Sequence, residues 1–219
     1  MSKFIDVSHT VESGMITYRG LPPPVISDYM SRKDSRDHYA KGTEFHIGRI
    51  EMIANTGTYI DSPFHRYANG MDLSTLPLPR IAALEGIVIR QAARNARAID
   101  ADAFLGTPLK NKAVLIHTGW DKYWRTDQYA DGHPYLTRAA AQLLIDRGAA
   151  LAGIDSFNID DATDGTRPAH TLLLKAEIPI VEHMCRLDDL PDTGFKFFAV
   201  PAKVKDFGSF PVRAFAIVW

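Results

Sequence analysis

One cysteine, Cys185, is all the chain has in 219 residues, so it closes no internal disulfide and builds no multi-cysteine metal knot. Beside Met184 that thiol reads as a buried, inert side chain and not as a nucleophile. No apolar run approaches the roughly 20 residues of a membrane span, and residues 1–11 carry no signal-peptide pattern. A cytoplasmic protein without a membrane partner is therefore expected. An excess of either charge is missing too, with 25 Lys plus Arg against 26 Asp plus Glu. That removes the basic footprint of a nucleic-acid binder and leaves a small neutral or anionic molecule as the expected ligand. No repeat, low-complexity tract or linker interrupts the course, and the length suffices for one core, so one domain over residues 1–219 is expected.

Short apolar runs at 4–7, 86–89, 113–116, 149–154 and 178–182 read as strands, and 45–53 as a strand leading into the stretch that follows it. Residues 98–104 read as a short helix. Residues 138–147 carry an apolar stripe at helical spacing, with Thr137 as N-cap and Gly148 as stop. The run opened by His170 reads as a further helix, and 196–205 and 210–219 as two strands joined by a turn at 206–209. This mixture implies an α/β or α+β fold. Three prolines at 22–24 bar helix or central strand there. The polar segment 28–41 behind them, with four positive and three negative side chains, reads as a lid or a partner-contacting arm.

The stretch 55–72 organises the rest. Asn55, Tyr59, Asp61 and His65 share a parity, so an extended segment turns all four to one face, with bends at Gly57 and Pro63. Asp61 and His65 form an acid–base pair where a strand gives way to a loop. Glu182 ends a buried strand on a carboxylate, which is costly unless the charge is paired or bound to metal. His183 beside it is expected to face the other way. His117, at a strand end, reads as structural. Asp160, Asp161 and Asp164 crowd the loop 156–167 without the glycine and terminal glutamate of a calcium loop, and read as solvated acids.

The same stretch resembles the signature HxGTHxDxPxH of the cyclase-like metal-dependent hydrolases, a group that includes bacterial kynurenine formamidase and isatin hydrolase. Five of its seven fixed positions are present, as Gly57, Thr58, Asp61, Pro63 and His65. The resemblance runs from about residue 4 to 219. It implies a mixed, strongly curved sheet flanked by a few helices. It also implies that Asp61 is a carboxylate shared by two zinc ions, His170 a ligand of the second, Glu182 a bridging ligand and His65 the proton donor or acceptor. Tyr18 falls where the family contacts substrate. Relatives form homodimers or homotetramers with arms reaching a neighbour's cleft, a part that 21–41 suits.

Asn55 and Tyr59 stand where the family has two metal-binding histidines. An amide oxygen is a poor zinc ligand, and a phenol of pKa about 10 binds only when deprotonated, so a tight dinuclear site is not expected. Asp61, His170 and Glu182 remain, the three ligands that suit one zinc or manganese ion. With such an ion the expected reaction is attack of activated water on an amide, formamide or cyclic-amide carbonyl. His65 then shuttles the proton, and Asn55 or Tyr59 donates to the carbonyl oxygen. The alternative is a metal-free relative: a small-molecule-binding protein, or an isomerase or dehydratase that uses His65 with Asp61.

Overall fold

Apolar runs of four to seven residues are too short for helices that bury a face, and here they pair into strands. The computed structural model describes residues 2–94 and 96–219. Its strands are β1 (Lys3–Asp6), β2 (Val25–Met30), β3 (Ile47–Glu51), β4 (Tyr59–Asp61), β5 (Leu84–Arg90), β6 (Ala98–Ile99), β7 (Lys112–His117), β8 (Tyr135–Leu136), β9 (Leu151–Ile154), β10 (Ile180–Glu182), β11 (Phe195–Phe198), β12 (Ser209–Pro211) and β13 (Phe215–Val218). The helices are α1 (Arg32–Ser35), α2 (Arg138–Asp146) and α3 (Pro168–Lys175).

Nine strands form one mixed sheet in the order β1-β13-β11-β5-β7-β9-β10-β4-β12. The central run β5-β7-β9-β10 is parallel and both flanks are antiparallel. Central parallel strands are covered on both faces, and β9 is buried throughout. Alternation divides the core, as expected for a pleated strand. Val114 and Ile116 of β7 pack on the side of Leu144 from α2 and Leu173 from α3, whereas Ala113 and Leu115 pack with Phe195, Phe197 and Val181. Thr137 caps α2 as expected, its hydroxyl accepting from the Ala140 N–H at 3.1 Å.

The sheet is curled, and the chain itself requires it. β12 and β13 are ninth and second in the order, yet only residues 212–214 join them. Seven spacings of about 4.8 Å would separate them by about 34 Å in a flat sheet, while four Cα steps reach about 15 Å at most. The ends therefore roll together. Val7 N–H donates to the Ala214 carbonyl at 2.9 Å, Cys185 N–H to Val7 at 3.1 Å and Val212 N–H to Thr58 at 2.9 Å. The expected hairpin of 196–205 with 210–219 is thus corrected: β12 joins the β4 edge, and β13 inserts between β11 and β1.

Two other expectations change. The strand within 45–53 does form as β3, but it pairs only with β2 in a separate ribbon exposed along both strands. The helix expected at 98–104 is strand β6 followed by a single turn over Ala101–Phe104. Among the described residues no helix is long and apolar enough to cross a membrane.

Candidate active site

Strand β4 lies between β10 and β12, and its register sets the site. Tyr59 sits opposite Glu182 on one side and Pro211 on the other, and Asp61 opposite Ile180 and Ser209. Cross-strand neighbours project to the same face, so Tyr59 meets Glu182 and Asp61 meets Ser209. The shared parity expected from Asn55 to His65 holds only within β4. Residues Pro63–His65 form a tight turn that begins on proline, and this turn, not alternation, carries His65 to the site. Gly208 crosses directly beneath it, where a Cβ would stand 2.6 Å from the His65 backbone nitrogen, so only glycine allows the approach.

His170 comes from the first turn of α3. Asp160 accepts the Ala169 and His170 N–H groups at 2.5 and 3.0 Å and faces His170 Nδ1 at 2.7 Å. The network therefore assigns the proton to Nδ1 and leaves Nε2 as the free nitrogen, 3.5 Å from Asp61 Oδ2 and 3.7 Å from Glu182 Oε2. Those gaps are long for hydrogen bonds, yet two ligands about 2.1 Å from one tetrahedral ion lie about 3.4 Å apart. Asp61 Oδ2 is buried and has no hydrogen-bond partner among the described residues. A carboxylate oxygen left so is costly, and a cation between it and His170 answers the cost. The residues fit a divalent ion. One ligand atom each of Asp61, His65 and His170 lies within 4.8 Å of the other two, so His65, expected as the proton shuttle, stands with them where a ligand would.

Charge follows from these neighbours. Burial pushes His170 down, but Glu182, Asp160 and Asp61 around it outweigh burial and raise its pKa well above the ordinary value. Without a metal those charges favour a second proton on the ring, so a proton and a metal ion would compete for Nε2. Burial pushes Glu182 up, but His170 and the Tyr59 hydroxyl hold its carboxyl below the usual range. Glu182 also accepts the Ile159 N–H at 2.6 Å.

Tyr59 is buried, and burial with the Glu182 charge raises its pKa well above that of an ordinary phenol, so it stays protonated and is no anionic ligand. Its hydroxyl donates to Glu182 Oε2 at 2.5 Å. That fixes a direction for its neighbours. Tyr18 donates to Tyr59 at 2.7 Å, and its oxygen takes the His183 Nε2–H at 3.0 Å. Tyr129 in turn donates to His183 Nδ1 at 3.0 Å. His183 thus joins the site indirectly, contrary to the alternation expected for it. Its φ of 52° ends the strand geometry and turns the ring toward Tyr18. Burial keeps it neutral, with a pKa of about 3.

His65 has its own connection to Asp61. The Ser209 hydroxyl donates to Asp61 Oδ1, so its oxygen accepts from His65 Nδ1–H at 2.9 Å. That bond uses Nδ1 and leaves Nε2 for other partners, and the ring lies on the wall of a cavity of about 380 Å³ that Tyr18, Asn55, Tyr59, His170 and Glu182 also line. His117, 3.9 Å from Asp155, and Cys185, whose buried thiol is pushed up to about 12, lie outside that wall.

Sequence reasoning missed Asp160 and Ser209. Asp160 is fully buried and not solvated, because the α3 N–H groups and His170 bind both its oxygens. Asp161 and Asp164 do hold loop turns through Thr163 and Thr166. A histidine ligand needs an acceptor for its second nitrogen, and of the three acids Asp160 alone follows an apolar residue, Ile159. Nothing local marked Ser209.

A family model described as "Putative cyclase" matches residues 5–161, a stretch that holds Asn55, Tyr59, Asp61 and His65 but stops before His170 and Glu182. The chain is 26% identical over 214 residues to kynurenine formamidase of Bacillus anthracis, covering 97% of this chain and 96% of that protein. Its fold is similar to isatin hydrolase A from Labrenzia aggregata bound to benzyl benzoate, with a TM-score of 0.83 and 22% identity over 99% of this chain and 94% of that one. A structure described as a potential metal-dependent hydrolase with cyclase activity is also similar, with a TM-score of 0.81 and 23% identity over 100% of this chain and 99% of that one.

Behind the relay, Trp124 meets the edge of His183 and stacks on His9, whose ring lies 4.1 Å away. His9 Nε2 is buried without a partner, and burial pushes the imidazole down to about 4. A depressed histidine contributes stability that is complete above its unfolded pKa, near 6.5, and lost as pH falls toward 4. His9→Phe keeps the stack but does not titrate. Urea unfolding should show wild type losing up to about 1.4 kcal/mol per pH unit more than this variant across that window, and parallel curves would contradict it.

Proposed function

Because the chain belongs to the cyclase family, matched over residues 5–161, we propose that it is a hydrolase cleaving the C–N bond of a small amide, formamide or cyclic amide. The observation that carries this is the partnerless Asp61 Oδ2 facing His170 Nε2, beside a histidine bonded through Ser209 to the same carboxylate. The names of the relatives, kynurenine formamidase and isatin hydrolase, support it.

In this reading Asp61, His170 and Glu182 hold one divalent ion, zinc or manganese, and His65 is the proton shuttle. A bound ion supplies Lewis-acid polarisation and acidifies water. His65 Nε2 takes the proton of the attacking water, and Ser209 with Asp61 stabilises the resulting imidazolium. The same nitrogen then gives that proton to the leaving amine. The Asn55 side chain makes no hydrogen bond among the described residues and lines the cavity, so its N–H is available to the carbonyl oxygen. The Tyr59 proton is committed to Glu182, which leaves Asn55 as the donor of the two.

A second reading rests on His170. As an imidazolium among Asp61, Asp160 and Glu182 it offsets part of their charge without an ion, which suits a metal-free binding protein or an acid–base isomerase or dehydratase. Metal analysis and a screen of aryl formamides and cyclic imides separate the two. The hydrolase reading expects about one equivalent of transition ion, hydrolysis that a chelator stops, and His65→Ala slowing turnover by about a hundredfold or more with metal content unchanged. Loss of metal in that variant would make His65 a ligand instead of a shuttle, and full-rate turnover without metal would remove the hydrolase mechanism.

We further propose that the partner is a second copy of this chain, in a homodimer or homotetramer, held by the β2–β3 ribbon. A two-stranded ribbon is marginal on its own, and this one exposes Val25, Ile26, Tyr29, Ile47 and Ile50. Light scattering behind size exclusion should find an oligomer, and Ile26→Glu with Ile50→Glu should yield monomer. A monomeric wild type would contradict this.

A further inference from the structure

Two cations line the cavity without carboxylate partners among the described residues. Arg167 precedes α3 with a left-handed φ of 46°, and its Nη1 donates to Asn158 Oδ1 at 3.0 Å. The same amide oxygen accepts the Asp160 N–H at 3.0 Å, so the guanidinium is anchored through a neutral group on the buried segment that also carries the His170 partner. Only one of its five N–H donors is used in that bond. Nearby acids are already committed, Asp161 to Thr163 and Arg97 and Asp164 to Thr166. Arg66, exposed at the mouth beside the Tyr67 ring, is likewise without an ion pair among the described residues. Elsewhere on the surface Arg90, Arg186 and Arg213 do pair, with Asp192, Asp189 and Asp6.

A part-buried guanidinium held at a fixed angle over an aromatic-walled cavity, with its fork unfilled, is built to take a planar anion. We propose that Arg167, assisted by Arg66, selects ligands that carry a carboxylate, so that the substrate is a small aromatic amido acid. The ring lies against Tyr18, Leu21 and Tyr59, and the carboxylate meets the arginines. A cavity of about 380 Å³ admits one such molecule and little more. The identity of the bond cleaved rests on the hydrolase reading, whereas recognition of the anion does not.

Binding tests it without turnover. Fluorescence titration of the purified protein with 2-aminobenzoate and with its neutral counterpart 2-aminobenzamide should show the carboxylate bound about tenfold or more tightly. Arg167→Gln should bring the two affinities close to parity, Arg167→Lys should restore part of the preference, and Arg66→Gln should cost less. In wild type, added salt should weaken the carboxylate alone, which tests the claim without any variant. Equal affinities in wild type, no binding of the carboxylate, or an Arg167→Gln protein that folds and keeps the preference overturns the proposal. A retained preference with no amide hydrolysed under any metal would instead sink the hydrolase reading and leave anion recognition standing.

Discussion

The pairing of β4 between β10 and β12 is the constraint on which the site depends. One register sets Tyr59 beside Glu182 and Asp61 beside Ser209. A slip of one residue would turn both side chains of β4 to the opposite face and leave Glu182 and Ser209 without partners. The three-residue link from β12 to β13 enforces this arrangement, because it can be spanned only if the sheet rolls up. Curvature and chemistry therefore have a common cause.

Three buried carboxylates then surround one imidazole, and each is held differently. Asp160 is fixed by the N–H groups that open α3, Glu182 by Ile159 and Tyr59, and Asp61 by Ser209 on one oxygen only. The oxygen left over is the one that faces His170. Tyr59 occupies a position where the resembled signature has histidine, and its phenol serves as a hydrogen-bond donor to the Glu182 carboxylate. Tyr18, His183 and Tyr129 extend that bond into a directed chain. Neutral, fully bonded groups thus replace charge in that half of the cleft.

Much of this was legible. The short apolar runs became the central strands, and Thr137 and Gly148 bounded α2, because both signals are local. Asp61, His170 and Glu182 were singled out by signature resemblance and by the cost of a buried acid, and they do meet around one nitrogen. The failures were non-local. Residues 210–219 read as one strand, since nothing in an apolar run tells which sheet edge its two ends join. Asp160 read as solvated because its partners lie up to ten residues ahead, in a helix whose first turn it completes. His183 was misplaced by assuming strand alternation at a residue whose own φ is positive.

The central claim is that Asp61, His170 and Glu182 grip a single ion while Tyr59 stands aside as a donor to Glu182. Anomalous diffraction from crystals grown with zinc or manganese tests it most directly. One peak bonded to His170 Nε2 and both carboxylates, with the Tyr59 hydroxyl still on Glu182, is the result predicted. No peak there, or a metal bound by the Tyr59 oxygen, would contradict it.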